Sequence, residues 1–125
     1  MAKFLLITHA EIGIALINAA KQNLHQDDLS IDCISVNHNN LDISKSNLEK
    51  YMKDHDQSPL IVLTDLAGSS PSNLIKCYTK LSYVHAISGV NLAMLLKALT
   101  FKTNDVNVMI DELIKCGNKS IINFI

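Results

Sequence analysis

The chain has 125 residues, enough for one domain with a real core, and a formal net charge of −1. Apolar residues make up 48% and charged residues 18%, a balance that excludes intrinsic disorder. The small net charge and a pI near 6.5 exclude capture of nucleic acid or of an anionic membrane by bulk charge.

The first apolar run, Phe4–Thr8, predicts a buried strand that surfaces at His9. Ile12, Ala15, Leu16, Ala19 and Ala20 then recur at helical spacing. Ile31–Val36 predicts a second strand, and Asn37-His-Asn-Asn40 after it reads as a surface turn. Leu48, Tyr51 and Met52 mark a helix that ends near His55. The third strand, Leu60–Thr64, terminates on Asp65. Leu74, Cys77, Tyr78 and Leu81 mark the next helix, and Tyr83–Ile87 the fourth strand. Leu92, Leu95, Leu96 and Leu99 follow on a helix with Asn91 as its N-cap. Val106, Met109, Ile110, Leu113 and Ile114 form a last helix, expected to stop at Gly117. Ser120–Ile125 alternates as a fifth strand that must pair with a sheet edge, in its own chain or a neighbour's.

Alternation of this kind predicts an α/β fold, a mostly parallel open sheet with right-handed crossovers and helices on both faces. No apolar run approaches the roughly 20 residues of a membrane span. The opening apolar stretch is too short for a signal peptide. Cys33, Cys77 and Cys116 are odd in number and lack a Cys-x-x-Cys pair, so free buried thiols in a reducing cytoplasm are expected.

Open sheets bind ligands beyond the carboxyl ends of their strands. His9, Asp65 and Ser88-Gly89 each follow a strand end, so three strands bring polar groups to one edge. Asp65 beside His9 would fix the ring tautomer and leave the other ring nitrogen with its lone pair exposed. Ser70-Pro71 predicts a helix start, with Ser70 as N-cap, Pro71 at the first helical position and Gly68 freeing the preceding loop. Free N–H groups at such a start suit an anion, phosphate above all. A serine hydrolase is disfavoured because Gly68-Ser-Ser-Pro-Ser72 lacks the Gly-x-Ser-x-Gly elbow. His25, His38, His55 and His85 are scattered without metal-ligand spacing, so no metal is expected. With neither a Gly-x-Gly-x-x-Gly nor a Walker loop, no nucleotide and no cofactor are expected.

Three segments together carry a resemblance: Thr8-His9, Thr64-Asp65-Leu-Ala-Gly68-Ser-Ser70-Pro71-Ser-Asn73 and Ser88-Gly89-Val90-Asn91-Leu-Ala-Met94-Leu95. In order and spacing the chain resembles the enzyme IIA component of the mannose-type, phosphoenolpyruvate-dependent sugar phosphotransferase system, over residues 1–125 as a single domain. The resemblance implies a cytoplasmic phosphohistidine carrier, a phosphotransferase that takes a phosphoryl group from HPr on His9. It would pass the group to an enzyme IIB partner, and through it to membrane IIC and IID proteins, during sugar uptake. It further implies that Asp65 orients the histidine and that Ser70 and Gly68 lie at the phosphate. A homodimer that exchanges an antiparallel C-terminal strand is also implied. Two alternatives stay open: a stand-alone regulatory module switched by His9 phosphorylation, and the phosphocarrier subunit of a dihydroxyacetone kinase. The sequence departs from the family's common glycines at Ile7, Ala10 and Ser69, and Ala10 disfavours a turn with positive φ. With the sequence ending at Ile125, the linker and IIB domain that many relatives carry are not expected.

Overall fold

Four of the predicted runs form one sheet in a computed structural model that describes residues 1–124. Strands β1 (Lys3–His9), β2 (Asp32–Val36), β3 (Leu60–Thr64) and β4 (Val84–Ser88) lie in the order β2-β1-β3-β4. All three pairings are parallel, as the strand-helix alternation predicts. The run from Phe4 to Thr8 and all of β3 are buried, the pattern of central strands covered on both faces. The outer strands β2 and β4 mix buried positions with half-buried and exposed ones.

Alternate side chains of β1 and β3 feed two cores. Phe4, Leu6, Ile61 and Leu63 pack with Ala20 of α1 (Ile12–Leu24), with Met94 and Leu95 of α4 (Leu92–Thr100), and with Leu113 of α5 (Val106–Lys119). Leu5, Ile7 and Val62 face Leu48 of α2 (Leu41–Asp54) and Ile75 of α3 (Ser70–Lys76) on the other side. Burial of these side chains stabilises each by roughly 1.5–3 kcal/mol.

Local capping sets several boundaries. Asn91 caps α4 as expected, its Oδ1 accepting from the Met94 N–H at 2.9 Å. Asp105 caps α5 through the N–H groups of Asn107 and Val108. Gly117 does not stop α5, which continues to Lys119. It is buried, and a Cβ there would meet Met94 Cε at 2.9 Å, so the glycine serves close packing of α5 on α4. The helix after β3 is short, seven α-helical residues continued by a 3-10 turn over Cys77–Lys80. That change of winding leaves Cys77 exposed, against the expectation of a buried thiol, while Cys33 and Cys116 are half-buried.

The expected fifth strand does not form within this chain: residues 120–124 have no strand pairing, and Ile125 lies outside the described residues. Ile121, Ile122 and Phe124 are left exposed there. Among the described residues, no helix is long and apolar enough to cross a membrane.

Candidate functional site

The sheet order reverses direction between β1 and β3. From β1 the chain crosses to β2 on one side, and from β3 to β4 on the other, so the connections diverge and leave a crevice at the carboxyl edge. His9 is the last residue of β1, and Asp65 directly follows β3. The register pairs Ile7 with Thr64, which puts these two polar residues side by side.

Their contact is close and multiple. His9 Nδ1 lies 2.8 Å from Asp65 Oδ2, and the same oxygen accepts from the His9 backbone N–H at 3.0 Å. Asp65 Oδ1 accepts from the Leu66 N–H at 3.0 Å. One carboxylate therefore ties the ring, the end of β1 and the start of the loop after β3. Burial pushes the Asp65 carboxyl upward, but the His9 backbone N–H and the His9 ring outweigh it and hold its pKa below the usual range. An ionised carboxylate only accepts, so Nδ1 carries the proton and donates. Nε2 is left with its lone pair and has no hydrogen-bond partner among the described residues. The His9 side chain is 30% exposed and that of Asp65 12%, so the ring is partly open to solvent while its anchor is more shielded.

The turn that presents His9 is strained. Ala10 has φ 42°, a conformation that costs a residue with a Cβ roughly 1–2 kcal/mol. The sequence disfavours this turn, yet it forms, because contacts on both sides hold it. The Ala10 N–H donates to Val36 O at 2.9 Å. Buried Thr8 accepts from the Gly13 N–H at 2.8 Å, which fixes the first turn of α1. Gly13 is required by space: a Cβ would lie 2.5 Å from Cys33 Sγ and 2.7 Å from Thr8 Oγ1.

The loop after Asp65 departs from the sequence expectation by one residue. Ser69, not Ser70, occupies the N-cap of α3, with an extended backbone at φ −85° and ψ 175°. Its hydroxyl turns back to donate to Leu66 O, so it closes the loop and makes no capping bond. Ser70 becomes the first helical residue and is partly exposed; its hydroxyl has no partner among the described residues. Gly68 has φ 78°, so the loop does use the freedom only glycine supplies. With seven residues, α3 contributes little macrodipole, and the local donors are the free Ser70 hydroxyl and nearby N–H groups. Ser88 and Gly89 reach the same edge, where Gly89 has φ 83° and the Val90 N–H donates to Thr64 O at 3.0 Å. Leu66 and Ala67 are exposed beside the site.

Two residues here are not evident from the sequence motifs, Gly13 and His38. Gly13 joins Thr8 to form the brace beneath His9. His38, read as part of a plain turn, has its ring 6.3 Å from the His9 ring, centroid to centroid. Its place two residues past a strand paired with β1 is the signal that would have found it. His25 instead ends α1 in a left-handed conformation, and His55 ends α2 with Nε2 2.8 Å from Ser58 O. Among the described residues, no cluster of His, Cys, Asp or Glu is arranged to hold a metal ion.

Known proteins carry the same architecture. An EIIA component of the phosphotransferase system from Streptococcus agalactiae superposes with a TM-score of 0.86 at 20% identity, over 99% of this chain and 98% of that one. The mannose/sorbose-specific IIA subunit from Enterococcus faecalis gives 0.89 at 19% identity, over 99% and 95%. A IIA protein associated with the fucose utilization operon of Streptococcus pneumoniae gives 0.79 at 20%, over 98% and 92%. These likenesses establish the fold. No curated protein sequence matches the chain. The sequence profile of the EIIA-man family, described as the PTS system fructose IIA component, matches residues 3–115, and the chain therefore belongs to this family of sugar phosphotransferase system components.

Proposed function

We propose that the protein is a phosphohistidine carrier that accepts a phosphoryl group from HPr on His9 Nε2 and delivers it to an enzyme IIB partner. The observation that carries this reading is the 2.8 Å contact of His9 Nδ1 with Asp65, which favours the neutral-ring tautomer whose Nε2 is the free acceptor. In the forward step the donor's P–N bond breaks as the Nε2 lone pair forms a new one, and the donor leaves as a neutral imidazole. The Nδ1 proton stays on His9, and Asp65 stabilises the positive charge that develops on the ring. The Ser70 hydroxyl and the N–H groups beyond Gly68 are the donors offered to the phosphoryl oxygens. Exchange between two histidines is nearly balanced in energy, so positioning and fixed dipoles suffice.

Incubation with phosphoenolpyruvate, enzyme I and HPr tests the assignment. Mass spectrometry should find one acid-labile phosphate on His9, absent from His9→Ala. No label on the wild type, with HPr itself phosphorylated, overturns it.

The reading extends to a homodimer. Among the described residues β4 ends the sheet with one edge unpaired, and Ile121, Ile122 and Phe124 are 78%, 65% and 94% exposed. An apolar terminal segment and an open strand edge on the same chain suit pairing with a second copy. A monomer in sizing chromatography at micromolar concentration would count decisively against that exchange.

A further inference from the structure

We propose that His38 is a second phosphoryl-contacting residue, donating a ring N–H to an oxygen of the phosphoryl group that His9 carries; this rests on the reading of His9 given above. The His9 and His38 rings are 6.3 Å apart between centroids and inclined at 50°. No direct hydrogen bond joins them, and the separation leaves room between the rings for an oxygen of a phosphoryl group carried on His9.

The backbone builds this placement. His9 pairs in register with Val36, the last residue of β2. Asn37 continues the extended chain at φ −115° and ψ 140°, and the Asn40 N–H closes a 3-10 turn on Asn37 O at 3.0 Å. His38, the first residue of that turn, is thereby held on the carboxyl edge beside His9. It is exposed and makes no hydrogen bond or ion pair among the described residues, so both ring nitrogens are available.

The charge on the site calls for such a donor. A phosphoryl group brings about −1.5 to −2 charge at neutral pH, next to a carboxylate already ionised. Arginine is the usual residue for this task, yet all 11 basic residues of the chain are lysines. Among the described residues, the two ion pairs that involve lysine are Lys3–Asp56 and Lys97–Glu112, and neither includes a residue of the site. His38 makes and breaks no covalent bond in this role.

The equilibrium constant for phosphoryl exchange with HPr separates this role from docking. A residue that only guides HPr changes the forward and reverse rates equally and leaves the constant alone. Loss of a hydrogen bond to the bound phosphoryl group shifts it. With wild type and His38→Ala brought to equilibrium with phosphorylated HPr, the variant should hold its phosphate about tenfold less favourably. An unchanged constant overturns the role of His38 and leaves His9 intact. Absence of label on wild-type His9 overturns the underlying reading instead. Because His38 is exposed and unbonded, and the constant is read on protein labelled at His9, misfolding does not enter the comparison.

Discussion

Asp65→Asn is expected to slow phosphoryl transfer to His9 by about a thousandfold while the domain remains folded. Asparagine matches the shape of aspartate but offers one accepting oxygen in place of two, and adds an NH2 group that donates. Asp65 at present accepts from the His9 ring, the His9 N–H and the Leu66 N–H. In the variant the amide cannot satisfy all three. If its NH2 meets the ring, Nδ1 must become the acceptor and the proton moves to Nε2. The lone pair that attacks phosphorus is then gone, and the charge stabilising the cationic ring is gone with it. One donor left unsatisfied costs about 1–3 kcal/mol of stability, a price a domain of this size survives. Rapid-quench measurement of transfer from phosphorylated HPr, with circular dichroism for the fold, checks both parts. A wild-type rate would remove Asp65 from the mechanism.

Gly13→Ala should destabilise the protein by about 2 kcal/mol, against the ordinary helical preference for alanine over glycine. At an open helical position the change gains up to about 1 kcal/mol. Here the added Cβ would lie 2.5 Å from Cys33 Sγ and 2.7 Å from Thr8 Oγ1, and overpacking of this kind costs about 1–3 kcal/mol. Moving Thr8 also disturbs its hydrogen bond to the Gly13 N–H, which adds to the loss. Urea unfolding of Gly13→Ala, Cys33→Ala and the double variant forms a complete cycle. Removal of Sγ should return part of the lost stability, so the double variant should lose less than the sum of the two. A Gly13→Ala midpoint equal to wild type would show that the neighbours yield freely.

The sheet was legible because its two central strands are apolar on both faces, which leaves a buried parallel strand as the natural home for Leu60–Thr64. The pairing of His9 with Asp65 followed from the same fact, since each sits where a buried run surfaces. The misreadings have a common physical origin: they concern what lies opposite a residue, which periodicity does not encode. Gly117 looks like a helix stop in one dimension, and only the approach of Met94 shows it as a packing contact. Ser70 follows the preference of serine for caps, but Ser69 takes the position because its hydroxyl is drawn back to Leu66 O. Ala10 disfavours a left-handed turn by propensity, and tertiary bonds override it. His38 was hidden because its partner is 29 positions away along the chain.

The 56-residue separation between His9 and Asp65 also has a meaning for the order of folding. Contacts between strands so far apart in the chain carry a loop-closure cost that local helix formation does not, and they come late. A nascent chain that has emerged only as far as α2 holds its histidine, but no carboxylate to set the proton. On the proposed reading, competence to take up phosphate is thus conferred by closure of the central strand pair. A label on His9 would then report that the molecule has reached its native topology.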